Sequence, residues 1–181
     1  MIVNAPRAVD LIVAILCGTL FAIHLLGSHV LNPSDTSWFK GDVHTYFVGW
    51  QFLRVDAWHW PLTWTPNLAY PTGIVTANFD INPLIALLFK VASPFLPPTF
   101  QYFGIESWAV CVLQTYFGFR FIRVFQPDNH GVVLFGGLMF LIAPPFVFRL
   151  WAGTFSLANQ WLILAVLTQF RPIGDRRGIK K

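Results

Sequence analysis

Apolar blocks of about bilayer length run through this sequence and are broken by one long polar stretch between residues 31 and 83. Of the 181 residues, 55 % are hydrophobic and only 11 % are charged. Soluble domains average about a quarter charged residues, and a soluble chain of this size would need them for its surface. The pattern therefore predicts an all-α integral membrane protein.

Four apolar blocks are predicted to be transmembrane helices, at residues 9–26, 100–119, 131–148 and 155–170. A fifth block, at residues 81–96, has Lys90 in its middle and would rise only about 24 Å as a helix, short of the roughly 30 Å hydrocarbon core. It is interpreted as a re-entrant helix or a short span. The prediction is a single membrane domain with four or five spans, in which Pro144 and Pro145 bend the span at 131–148.

The basic residues favour one topology. With the N-terminus inside and residues 81–96 not crossing, the cytoplasmic face collects Arg120, Arg123 and the basic tail at 171–181. This places an extracytoplasmic loop at residues 28–80. The formal charge of +4 lies mostly in that tail, which favours contact with anionic lipid and indicates no nucleic-acid partner.

The polar stretch holds four of the eight acidic residues and five of the eight tryptophans. After Asp42, the residues Phe47, Trp50 and Leu53 recur at helical spacing, which predicts an amphipathic helix lying in the membrane plane. Several tryptophans with Tyr70 then continue as an aromatic belt, and the prolines that follow predict an ordered loop.

Two acids in this stretch have both a structural and a chemical interpretation. Asp42 could cap the helix that follows it, or it could accept a proton from a bound hydroxyl. His44 could tune Asp42 or share a divalent cation with it, although two ligands are far from a complete metal site. Asp80 precedes the helix start at Asn82-Pro83, so it is either another cap or a second carboxylate.

Four cationic residues are candidates for contact with a lipid phosphate, namely Lys40, Arg54, Lys90 and Arg149. The ordinary alternative is that their long side chains snorkel toward the membrane interface.

These residues form motifs that together resemble a known family. The motifs are Gly41-Asp42-x-His44, Trp58-x-Trp60-Pro61, Tyr70-Pro71-Thr72-Gly73 and Asp80-x-x-Pro83, with further likeness at Pro145-Phe146-x-Phe148-Arg149 and around Trp161. They resemble the DUF6311 family of bacterial membrane proteins over most of the chain.

That family is similar to the GT-C class of membrane glycosyltransferases, and the resemblance implies a function. Asp42 would be the catalytic base, assisted by His44 and Asp80, and a divalent cation is compatible with the site. Arg54, Lys90 and Arg149 would face the phosphate of a polyprenyl-phosphate sugar donor. The implied location is the bacterial inner membrane, as a multi-pass protein.

Two departures from the family pattern shape the expectation. The chain has fewer spans than the resemblance implies, and it has Asn159-Gln160 where a histidine is expected before Trp161. The prediction is therefore the N-terminal module of a GT-C-like glycosyltransferase, whose partner would be a missing C-terminal part. The alternative is a non-catalytic, truncated relative that binds lipid or a partner membrane protein. A transporter fragment is disfavoured because no span carries a run of ionisable residues.

Overall fold

The chain is built mostly of helices in its computed structural model, which describes residues 7–79 and 81–169. The α-helices of these residues are α1 (Arg7–Leu26), α2 (Val43–Val55), α3 (Pro83–Ala92), α4 (Phe103–Phe125), α5 (His130–Leu141), α6 (Pro144–Trp151) and α7 (Trp161–Leu167). Short 3-10 helices lie at Ser28–Leu31, Thr76–Phe79 and Ser93–Phe95. The predicted helical class is confirmed. The predicted basic tail at 171–181 lies outside the described residues.

A small β-sheet was not predicted. Strands β1 (Trp64–Thr65) and β2 (Ile74–Val75) pair antiparallel, with Trp64 opposite Val75. The segment between them was expected to be irregular because of its prolines. Its turns instead bring two short β-branched and aromatic pairs side by side, which suits a strand pairing.

The prediction of four or five spans is not supported. Within the described residues, only Ala8–Leu26 is long and apolar enough to cross a membrane by itself. α5 and α6 would supply a second span if the pair, bent by 41°, is counted as one. α4 is long enough but carries Glu106, Arg120 and Arg123, and the seven residues of α7 rise only about 10 Å.

The helix boundaries follow local sequence signals. Pro83 stands at the first position of α3, where its missing N–H costs nothing. Pro144 begins α6 after a break in the helical ladder, so the predicted bend at the two prolines is confirmed. The predicted span at 131–148 is therefore two helices, α5 and α6.

Contacts divide the chain into two compact units. Unit 1 comprises the described residues of Met1–Phe21, Ala109–Val147 and Asn159–Lys181. Its core is formed by Ala14, Phe119 and Val133. A bidentate ion pair joins Asp10 of α1 to Arg123 of α4, with both N–O distances 2.6 Å.

Unit 2 comprises Ala22–Trp108 and Phe148–Ala158. Its core is aromatic: Trp50 of α2 is fully buried, its ring meets Tyr102 edge-on at 5.1 Å, and its indole N–H donates to the Phe100 carbonyl at 3.0 Å. The expectation that the aromatic face of α2 lies on the membrane is wrong. The chain at Phe100 and Tyr102 supplies both the ring contact and the acceptor that a buried tryptophan needs.

Candidate functional site

Two glycines set the position of the N-terminal end of α2. Gly41 has φ +56° and Gly153 has φ +80°, a region that favours glycine. A Cβ at Gly153 would overlap the Val43 side chain, so the turn after α6 packs directly on the first residue of α2. Asp42 is thus carried on a helix start that is held by close backbone packing.

Asp42 does not cap α2. It occupies the N-cap position, but its side chain makes no capping hydrogen bond and is exposed. His44 is also exposed, and its ring lies edge-on to Phe39 at 5.7 Å. The two side chains are not hydrogen-bonded to each other or to any other described residue. The capping interpretation is therefore wrong for Asp42, whose carboxylate is open to solvent.

A cleft of about 520 Å³ opens at the other end of α2. It lies within unit 2, between the C-terminal turn of α2 and the end of α3. Its lining residues are Gln51, Arg54, Val55, Asp56, Trp58, Lys90, Ser93, Pro94, Leu96 and Pro98.

Arg54 is committed to the backbone around this cleft. Its guanidinium donates to Ser93 Oγ and to the carbonyls of Ser93, Leu96, Pro97 and Pro98, over 2.9 to 3.4 Å. A guanidinium has five N–H donors, and each of them has an acceptor here. Burial lowers the pKa of Arg54. A lipid phosphate could bind Arg54 only by displacing one of these carbonyls.

Lys90 is a buried cation with unused N–H donors. Only 5 % of the residue is exposed, and its ammonium lies 4.6 Å from the centre of the Trp58 ring. Its one hydrogen bond to a described residue is a long one, 3.3 Å, to the Ala57 carbonyl. α3 is too short to cross a bilayer, and burial within the protein lowers the pKa of Lys90 while the Asp56 carboxylate opposes that shift.

The structure groups the predicted site residues differently from the expectation. Arg54 and Lys90 share the cleft, whereas Asp42 and His44 lie at the opposite end of α2, about 18 Å from Arg54 along the helix axis. Arg149 is half-buried on α6, and its side chain makes no hydrogen bond to a described residue. Asp80 lies outside the described residues.

Sequence reasoning did not identify Gln51, Asp56 and Ser93 as cleft residues. The sequence spacing gave a partial signal, because residues three apart on a helix share a face. Gln51 and Arg54 have this spacing on α2, and Lys90 and Ser93 have it at the end of α3. The pairing of the two faces depends on tertiary packing.

The described residues contain no group of three His, Cys, Asp or Glu side chains that could hold a metal ion. Asp42 and His44 alone are too few for a protein cation site. The divalent cation stays a prediction.

Comparison with protein families identifies the family of this chain. The family model described as "Domain of unknown function (DUF6311)" matches residues 15–179. The chain belongs to the DUF6311 family. Comparisons with curated proteins and with solved structures gave no match. The predicted family is confirmed, and the activity has to be argued from the residues of this DUF6311 protein.

Proposed function

We propose that this DUF6311 protein is the N-terminal module of a GT-C-like membrane glycosyltransferase. It would take a sugar from a polyprenyl phosphate at the extracytoplasmic face of the bacterial inner membrane. The observation that carries the proposal is the Asp42 carboxylate, which is exposed at the start of α2 and is not used as a cap.

Asp42 has the access that a general base needs. A base must come within about 2.6–3.2 Å of the proton that it removes, and no described side chain occupies its oxygens. Gly41 and Gly153 hold the helix start in place, so the carboxylate is carried on a defined backbone. His44, two residues after Asp42, is also exposed and is available to orient the acceptor hydroxyl.

The proposed step is an inverting transfer. Asp42 accepts the proton of an acceptor hydroxyl, whose oxygen attacks the anomeric carbon of the donor sugar. The bond between that carbon and the phosphate oxygen breaks, and the electron pair leaves with polyprenyl phosphate. A donor held in the bilayer presents its sugar only at the membrane interface, which is where the loop bearing Asp42 is placed by this proposal.

The membrane arrangement in the proposal is multi-pass. α1 would cross the bilayer, with only 22 % of its apolar window buried inside the protein, and α5 with α6 would form a second, bent span. With the N-terminus inside, the loop that follows α1 and carries Asp42 would lie on the extracytoplasmic side.

The test measures transfer of a radiolabelled sugar from polyprenyl phosphate to lipid acceptors, with the chain in nanodiscs. Asp42→Asn should lower the rate by about 100-fold or more, which is the usual contribution of a general base. Asp128→Asn, which neutralises another exposed aspartate, should leave the rate unchanged. Full activity of Asp42→Asn, or no transfer by the unmodified chain, would reject the proposal.

A specific observation favours a second candidate, a non-catalytic lipid-binding protein. Leu84, Leu88, Val91 and Phe95 are between 67 % and 91 % exposed. Their spacing places them along one face of α3 and the turn that follows it. A face of this kind is typical of helices that lie in a membrane interface. In that case the chain would bind membranes strongly while Asp42→Asn had no consequence.

A further inference from the structure

We propose that the cleft at the C-terminal end of α2 is a binding site for a phosphate ester, separate from the Asp42 end of the helix. The phosphate would be held by Lys90 and Ser93, and the group esterified to it would lie against Trp58. This inference does not rest on the proposed glycosyltransferase activity.

The first observation is the incomplete hydrogen bonding of Lys90. An ammonium has three N–H donors, and in the described residues only the Ala57 carbonyl accepts from it, at 3.3 Å. Removing an ammonium from water is unfavourable unless strong partners replace the water. The Trp58 ring at 4.6 Å is a weaker partner than an anion would be. Lys90 therefore has both the capacity and the electrostatic reason to bind an anion from the cleft.

The second observation is the donor beside it. Ser93 lies three residues after Lys90, so the two side chains are neighbours on the same helix face. Ser93 Oγ accepts a hydrogen bond from Arg54 Nε at 3.1 Å, which leaves its own hydroxyl hydrogen free to donate. Lys90 and Ser93 can thus offer at least two donors to the same phosphate.

The third observation is the charge of the cleft. Arg54 and Lys90 contribute two positive charges, and Asp56 contributes one negative charge. All the N–H donors of Arg54 are hydrogen-bonded to protein oxygens. Arg54 therefore contributes its positive charge to the electrostatic potential of the cleft but no free hydrogen-bond donor. Asp56 Oδ1 accepts a hydrogen bond from Asn67 at 2.5 Å, whereas Asp56 Oδ2 is buried with no hydrogen-bond partner among the described residues. The balance of one positive charge favours an anion.

The fourth observation is the volume of the cleft and the chemistry of its lining. A volume of about 520 Å³ is in the range of sites for small organic ligands and far exceeds that of a bare anion. Trp58 is half exposed, and Val55, Leu96 and Pro98 provide further apolar surface. Gln51 donates to the Pro98 carbonyl and leaves its side-chain oxygen free for a hydroxyl. The lining suits a phosphate carrying an organic group.

The separation from Asp42 makes this a second site. The two ends of α2 are about 18 Å apart, whereas the phosphate of a sugar donor is bonded directly to the sugar carbon that reacts. A phosphate at Lys90 is therefore not the one that leaves in a transfer based on Asp42.

The experiment measures binding of dihexanoyl phosphatidic acid to the full chain in detergent by isothermal titration calorimetry. Dihexanoylglycerol is the matched ligand without phosphate, and glucose 1-phosphate is the water-soluble phosphate ester. Phosphatidic acid should bind and dihexanoylglycerol should not. Competition by glucose 1-phosphate would identify a general phosphate-ester site, and its failure to compete would identify a lipid-phosphate site.

Two variants in the cleft should change the affinity for phosphatidic acid in opposite directions. Lys90→Met keeps the length of the side chain and should weaken binding at least tenfold, while Asp56→Asn removes the opposing charge and should tighten binding severalfold. Lys40→Met, at an exposed lysine outside the cleft, should change nothing. Tighter binding by Asp56→Asn cannot result from misfolding. Unchanged affinity in both cleft variants, or no binding of phosphatidic acid to the unmodified chain, would overturn the proposal.

Discussion

Arg54 and Lys90 are buried cations in the same cleft, and their hydrogen bonding gives them different roles. Arg54 holds the chain that leaves α3, because its N–H groups donate to four backbone carbonyls between Ser93 and Pro98 and to Ser93 Oγ. A planar fork of five donors can do this, whereas an ammonium cannot. Lys90 has no comparable set of acceptors.

We therefore predict that Arg54→Lys destabilises the protein. Lysine offers three donors at most, so at least two acceptors lose their partner, which should lower the free energy of unfolding by about 2–4 kcal/mol. Thermal unfolding in detergent measures the change. Arg120→Lys is the control, because the side chain of half-buried Arg120 makes no hydrogen bond to a described residue. Equal melting temperatures for the two variants would contradict the structural role of Arg54.

Asp35 carries a prediction on pH. Hydrogen bonds from the Ser37 side chain and backbone, and then His29, lower the pKa of Asp35 from 3.8 to about 2. His29 Nδ1 lies 2.7 Å from the Asp35 carboxylate. A carboxyl whose pKa is lower in the folded state stabilises the fold above its unfolded pKa and loses that contribution as the pH falls.

The stability of the protein should accordingly decline from pH 3.8 toward about 2, and Asp35→Asn should remove part of that decline. Carbon-13 NMR of the Asp35 carboxyl gives its titration directly. A midpoint at the ordinary value for aspartate would show that the Ser37 hydrogen bonds do not hold the charge.

At the level of elements, α2 separates two chemical environments. Its N-terminal end presents Asp42 and His44 to solvent, and its C-terminal turn contributes Arg54 to a positively charged cleft. The helix is held at its first residue by the turn at Gly153, which packs on Val43.

Alanine substitutions at two glycines should distinguish the cost of backbone strain from the cost of a clash with the first residue of α2. Gly41→Ala and Gly153→Ala both place a side chain at positive φ, which costs roughly 1–2 kcal/mol. Only the alanine at residue 153 would also meet the Val43 side chain, which should add about 1–3 kcal/mol of overpacking. Gly153→Ala should thus lower the melting temperature more than Gly41→Ala. The reverse order would show that the turn after α6 does not fix the start of α2.

At the level of the whole molecule, the exposed apolar face of α3 should lie in lipid. Spin labels at Leu84→Cys and Phe95→Cys, in a background lacking Cys17 and Cys111, should collide more often with oxygen than with a water-soluble nickel complex. A label at Thr72→Cys, on an exposed polar turn, should show the opposite preference. High accessibility to nickel at all three positions would contradict membrane contact by α3.

Sequence predicted the parts of the fold that depend on local chemistry. The break at Pro144 and the start of α3 at Pro83 are both fixed by residues adjacent in the chain. Helical spacing also predicted α2 itself, because Trp50 and Leu53 fall on one face. These signals do not need knowledge of distant partners.

The remaining features depend on distant partners, and sequence did not predict them. Trp50 is buried by residues about fifty positions later rather than by lipid, and apolar periodicity cannot distinguish a protein interior from a bilayer. The cleft likewise arises because α3 returns to the end of α2, which brings Lys90 beside Asp56 and Trp58.

The proposed function requires this protein to bind a polyprenyl-phosphate sugar in preference to an ordinary phospholipid. Native mass spectrometry of the purified chain, offered equal amounts of polyprenyl-phosphate monosaccharide and phosphatidylglycerol, tests it most directly. We predict selective retention of the polyprenyl donor that persists in Lys90→Met. Equal retention of the two lipids would contradict the claim and favour the non-catalytic lipid-binding protein.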